Sequence, residues 1–232
     1  MKFNVVCRLS VIVGIMVVIG GCASDDDVSR TSKVVLAIGD KITVLSEEQY
    51  QLPIVVQVAE LNGAAIADAT VSLSIKPTGF YKGAYQATDT SVPADGTADE
   101  LVRNITVTCL PEDVNNNGIL DPGEDVNNNG LLEPDIPSIT AHPTETPTLT
   151  PGTQKLETDD NGFGYFSITY PKAQATWVDV ELTASVSGGL PENRAVQSFL
   201  LLVLKADLEE VDVFHAFVDS PYGASADCTS AS

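Results

Sequence analysis

Trp177-Val178-Asp179-Val180-Glu181-Leu182-Thr183-Ala184-Ser185-Val186-Ser187 is the stretch that decides the fold class. Its residues alternate. Val178, Val180, Leu182, Ala184 and Val186 take one side, and Trp177, Asp179, Glu181, Thr183 and Ser185 the other. Successive side chains of an extended chain point to opposite faces, so this is a strand with one face for a core and one for water. Residues 70–76 repeat the pattern, with Val71, Leu73 and Ile75 set against Thr70, Ser72 and Ser74.

Outward from these two, further strands are expected at 33–38, 41–44, 53–59, 100–109 and 163–170. In 100–109, Leu101, Arg103, Ile105 and Val107 share a face. The apolar run 196–205 suits a central strand. Leu61-Asn62-Gly63 and Asp160-Asn161-Gly162 are turn signals, because Asn-Gly accepts positive φ. Helical periodicity is scarce. Seven or eight short strands divided by turns predict an all-β antiparallel sandwich.

Three segments resemble bacterial Ig-like domains of group 1, the invasin and intimin type. Residues 61–73 (Leu61-Asn62-Gly63 through Asp68-Ala69-Thr70-Val71-Ser72-Leu73) look like that family's turn-and-strand. Thr158-Asp159-Asp160-Asn161-Gly162-Phe163-Gly164-Tyr165-Phe166 looks like its hairpin, and Thr183-Ala184-Ser185-Val186 like its closing strand. The likeness spans about 34–205 with a large insertion, and Ala65 stands where the family often has proline. It implies an Ig-like sandwich acting as an adhesive or spacer module, not an enzyme.

The insertion carries the strongest chemical signal. Asp-Val-Asn-Asn-Asn-Gly occurs at Asp113 and again at Asp125, twelve residues on. Twelve is the length of an EF-hand calcium loop, which supplies oxygens from positions 1, 3, 5, 7, 9 and 12 and bends at a glycine in position 6. The first loop has Asp113, Asn115, Asn117, the Ile119 carbonyl, Asp121 and Glu124, with Gly118 at the bend. The second has Asp125, Asn127, Asn129, the Leu131 carbonyl and Glu133, with Gly130 at the bend. Its position 12 is Ile136, which cannot ligate, so Asp135 is the expected substitute after a small backbone shift. One Ca2+ site is expected and a second is possible. Pro111, Pro122, Pro134 and Pro137 exclude flanking helices, so the tandem is similar to thrombospondin type 3 calcium loops. The competing reading is a plain acidic Asn-Gly loop. Two neutral Asn ligands per loop imply modest affinity, about 10⁻⁴–10⁻³ M, and a structural role.

The N-terminus reads as an address. Lys2 and Arg8 precede an apolar run too short for a comfortable membrane span, and the run ends at Gly20-Gly21-Cys22. This resembles the lipobox of bacterial lipoproteins, which implies lipidation (a palmitate-type anchor) at Cys22; the alternative is a transmembrane anchor. Ala23 and Ser24 lack the aspartate linked to inner-membrane retention, so the resemblance favours the outer membrane of a Gram-negative envelope. Removing 1–21 leaves ten Lys and Arg against thirty-two Asp and Glu, a formal charge of −22. That balance excludes nucleic acid as a partner and favours cations.

Cys109 and Cys228 remain in the folded region, in a compartment that permits disulfides. They are expected to pair; two free thiols or pairing between chains are the alternatives. The expected order is a signal peptide (1–21), a lipid-anchored tether (22–33) and a sandwich (34–206). The sandwich contains calcium loops (110–137) and a Pro/Thr-rich linker (138–153), and a C-terminal strap (207–232) follows it. His142 in the linker and His215 in the tail join no catalytic motif. The expected function is a non-enzymatic, lipid-anchored envelope or surface module for adhesion, spacing or assembly. Its partner would be another envelope or surface protein or a glycan. The alternative is an envelope lipoprotein that binds a small ligand or a partner enzyme.

Overall fold

The computed structural model describes residues 32–39, 41–87, 101–142, 150–187, 193–209 and 215–232. The signal segment, Cys22 and the tether as far as residue 31 lie outside the described residues. Ten strands follow in chain order among those described. They are β1 (Ser32–Ile38), β2 (Thr43–Val44), β3 (Gln49–Glu60), β4 (Thr70–Ala87), β5 (Leu101–Cys109), β6 (Ser138–His142), β7 (Thr153–Glu157), β8 (Phe163–Pro171), β9 (Val178–Val186) and β10 (Arg194–Leu200). A 3-10 turn, Lys172–Gln174, joins β8 towards β9, and a short helix α1 (Lys205–Glu209) follows β10.

The strands form two antiparallel sheets, as the alternating patterns require. One runs β1-β3-β8-β6, with β2 beside β3; the other runs β10-β9-β4-β5, with β7 beside β4. Their inner faces make an all-β sandwich. From β3 come Tyr50, Leu52, Ile54, Val56 and Val58, and from β8 Phe166, Ile168 and Tyr170. The opposing sheet supplies Val71, Leu73 and Ile75 from β4, and Val178, Val180, Leu182, Ala184 and Val186 from β9. All of these are buried, and each large aliphatic or aromatic side chain contributes about 1.5–3 kcal/mol by leaving water.

Pro53 sits inside β3, where a missing N–H would ordinarily break a ladder. Its carbonyl accepts from Gly39 N at 2.9 Å, so its ring nitrogen faces the edge where β1 ends and β2 has not begun. Only the reciprocal bond to Gly39 is forgone, at the very end of the β1 ladder. At the Asp160-Asn161-Gly162 turn, Gly162 has φ 76°, and a Cβ there would lie 2.4 Å from the Val58 carbonyl oxygen. Only glycine fits.

Two expectations are corrected. Trp177 does not face water: it is fully buried just ahead of β9. Thr176, with φ 67°, turns the chain there, and the indole Nε1 donates to the Phe217 carbonyl at 2.6 Å. The run from Val196 is not a central strand. β10 pairs only with β9, at the sheet edge, and Val196 is exposed. The first residues of the Pro/Thr-rich linker, Ser138–His142, pair with β8 as β6.

The tail is built into the core. Phe217 and Tyr222 are buried, and Tyr85 N donates to the Val218 carbonyl at 2.7 Å. Gly83 N donates to the Gly223 carbonyl at 2.9 Å, and Ser220 N returns a bond to Gly83 O at 3.0 Å. Lys82, fully buried, donates to the carbonyls of Asp227 (3.1 Å) and Ser230. Cys109 and Cys228 form a disulfide with Cα atoms 5.7 Å apart, across 119 residues of sequence.

Candidate metal centre

The two Asp-Val-Asn-Asn-Asn-Gly repeats fold into twin loops. Asn116 and Asn128 both take φ near +57° (57° and 58°), and Gly118 and Gly130 take 74° and 76°. Asn and Gly are the residue types that adopt this region at low cost. Within the first loop, Asp113 accepts from the backbone N–H of Asn117 (2.9 Å) and of Gly118 (2.8 Å). Within the second, Asp125 accepts from Asn129 (3.1 Å) and Gly130 (3.0 Å). Asn115 Oδ1 accepts from Asn117 N, as Asn127 Oδ1 does from Asn129 N. Asn117 Oδ1 accepts from Ile119 N, as Asn129 Oδ1 does from Leu131 N. Identical sequence gives identical local bonding.

The ninth positions match as well. Asp121 Oδ2 accepts from the amides of Asn115 (2.7 Å) and Asn117 (2.8 Å). Glu133 accepts from the amides of Asn127 (2.7 Å) and Asn129 (2.9 Å). These NH₂ groups bring the positive ends of dipoles to each carboxylate. Burial raises the Glu133 carboxyl above the ordinary range; the two amide bonds oppose that rise, and the Glu112 charge adds to it.

The twelfth position closes each loop by an exchange. Glu124 accepts from Val114 N and Asp121 N, both at 3.0 Å, the second and ninth residues of the first loop. In the second loop the equivalent donors are Val126 N (2.9 Å) and Glu133 N (3.1 Å), and both bind Glu112. Glu112 stands immediately before the first repeat, and Glu124 immediately before the second. Each therefore caps the loop it does not precede. Asp135, the substitute expected from the sequence, accepts from Gln174 Nε2 at 3.1 Å, while the backbone donors of the second loop go to Glu112. Sequence reading missed Glu112. The signal was present, since the repeat is seven residues long once its glutamate is counted, Glu-Asp-Val-Asn-Asn-Asn-Gly at 112–118 and 124–130.

The donor set is hard oxygen: carboxylates, amide oxygens and backbone carbonyls. Among the described residues no three Asp, Glu, His or Cys side chains gather to hold an ion by themselves. A cation here would draw on Asn amide oxygens as well, which requires Asn115, Asn117, Asn127 and Asn129 to present oxygen where NH₂ now stands. Calcium accepts such mixed, flexible oxygen shells.

The two histidines lie apart from the loops. His142 Nε2 meets Ser167 Oγ at 2.7 Å between β6 and β8, and His215 stacks on Phe217 at 5.3 Å. No protein-family model matches the chain, and no curated protein matches it.

Proposed function

We propose that this chain is a non-enzymatic, lipid-anchored envelope or surface module whose Ig-like sandwich is braced by structural calcium. Asp113, Asn115, Asn117, the Ile119 carbonyl, Asp121 and Glu124 would hold one ion. Asp125, Asn127, Asn129, the Leu131 carbonyl, Glu133 and Glu112 would hold the other. The observation carrying this reading is that Glu112 and Glu124 bind equivalent donors of twin loops at 2.9–3.1 Å. A glutamate thus closes each loop, Glu124 the first and Glu112 the second, which supports two ions.

Bound calcium supplies positive charge to six carboxylates crowded into one short segment. The loops fix the backbone between β5 and β6, next to the Cys109–Cys228 staple. A site filled outside the cell at millimolar calcium works as a brace rather than as a sensor. The role in adhesion, spacing or assembly, with an envelope protein or glycan as partner, follows from the Ig-like resemblance and the lipobox at Cys22.

Melting of the full chain in calcium and in chelator tests the brace. A higher melting temperature with calcium is expected; an unchanged one, with no calcium retained after dialysis, refutes it. Cys22→Ser should release the protein from membranes, and continued membrane fractionation would remove the anchor from this reading.

A further inference from the structure

The two sheets turn very different outer faces to the solvent. On the sheet that runs β10-β9-β4-β5, the outward positions include Lys76, Lys155, Glu157, Asp179 and Glu181. Lys76 and Glu181 pair there at 3.5 Å. On the sheet that runs β1-β3-β8-β6, no outward strand position holds an Asp or a Glu. Its only basic side chains, Lys33 and His142, lie on the outermost strands, β1 and β6. The chain has 32 Asp and Glu and a formal charge of −20, so a whole sheet face without an anion calls for an account.

The register fixes what stands in the middle of that face. Val35 lies beside Gln57, and Gln57 beside Phe163. Ala37 lies beside Val55, and Val55 beside Tyr165. Pro53 follows on the same face of β3, two residues before Val55. These six apolar residues form one patch across three strands. Val35 is 41% exposed and Tyr165 47%, and Ala37 and Pro53 are exposed as well. Single exposed apolar side chains are ordinary, but a contiguous patch of them marks an interaction surface. Around it stand Gln51, Gln57, Thr140 and Thr169, whose amides and hydroxyls both donate and accept.

We propose that this face binds the same face of a second copy of the chain, as a two-fold dimer. Charge selects that occupant. A cationic partner is drawn to the acidic surfaces, whereas a face without anions suits a partner of the same sign. Two copies at −20 each repel, and least where neither presents a carboxylate. The rim is also self-complementary. A two-fold interface requires one surface to fit itself, and groups that both donate and accept can meet their own kind. An uncharged centre with a polar rim is the usual make-up of an interface. Four strands about 4.8 Å apart and about seven residues long give about 450 Å² of sheet per copy. Twice that falls below the roughly 1,200 Å² at which stable interfaces begin, so the dimer is weak and reversible in solution. Its strengthening at the membrane rests on the lipid anchor proposed above, which confines the copies to one plane and raises their effective concentration.

Sedimentation equilibrium on the full chain in density-matched detergent tests it. A reversible monomer–dimer equilibrium is expected, and it should tighten as salt rises, because salt screens the repulsion between two acidic bodies. Val55→Glu and Tyr165→Glu set carboxylate against carboxylate and should weaken dimerisation by about tenfold or more. Ser74→Glu, at an exposed position on the outer face of the other sheet, should leave it unchanged. Near-ultraviolet circular dichroism checks that each variant folds, and Tyr165→Glu, at the more exposed position, serves if Val55→Glu does not. A monomer up to the solubility limit, undiminished dimerisation in the folded variants, an equal loss in Ser74→Glu, or loosening by salt would overturn the proposal. Photo-cross-linking with benzoylphenylalanine in place of Tyr165, in the cells that make the protein, identifies the occupant. An adduct of twice the chain mass that maps to β1, β3, β6 or β8 is expected; adducts only to another protein, a glycan or lipid would overturn it. Membrane release of Cys22→Ser reports on the anchor alone, so the anchor and the dimer can fail separately.

Discussion

The carboxylate of Glu112 accepts the backbone N–H of Glu133, 21 residues further along the chain, at 3.1 Å. Its other oxygen takes Val126 N. Glu112→Gln keeps the shape but removes the charge that both N–H groups meet. The variant should lose about 1–3 kcal/mol of stability, the scale for weakening a buried charge-assisted bond. Under the calcium reading it also drops the bound stoichiometry from two ions to one. Calorimetric titration against Glu124→Gln checks this, because both variants should lose the same amount if the loops are equivalent.

Reduction of Cys109–Cys228, or replacement of both by serine, releases a constraint across 119 residues. The chain-entropy model values a loop of that length at about 4–5 kcal/mol before strain. The midpoint of denaturant unfolding should fall accordingly, and an unchanged midpoint would show that the tail's backbone bonds suffice alone.

Lys82→Met tests those tail contacts separately. The substitution keeps an apolar stem but leaves the carbonyls of Asp227 and Ser230 without their ammonium donor. A loss of about 1–3 kcal/mol is expected. Amide hydrogen exchange should show it first in residues 223–230, before the sheets.

Four of the six tyrosines, Tyr50, Tyr81, Tyr170 and Tyr222, have phenols raised above 10.0. Burial is the leading cause for all but Tyr81, where the hydrogen bond to Asp179 leads. Above pH 10 the unfolded chain loses these protons and the folded chain keeps them. The folded state then binds more protons, so stability falls as pH rises. Phenolate absorbance from these four should appear only with unfolding. Ionisation of these four in the folded chain near pH 10 would contradict the packing.

Much of the sandwich was legible. The five inward residues of β9 and the three of β4 follow from a period of two, because one face meets a core and the other meets water. Trp177 was misread because alternation was extended one residue past the strand, where Thr176 turns the backbone. The apolar run from Val196 was misread because composition reports hydrophobicity and not the number of neighbouring strands. The first loop was legible from spacing alone. Glu112 is marked as a repeat residue by its match to Glu124, but the loop it closes is not, because folding brings that loop to it across 14 to 21 residues of chain.

The burial of Phe217 and Tyr222 sets an order of events. A nascent chain that has reached β10 already holds every strand described, yet Trp177 has no acceptor for its indole and Lys82 no carbonyls to meet. The hydrophobic interior is closed by residues that follow every described strand. A chain cut short after β10 would therefore stay open at the end of the sandwich that the tail covers.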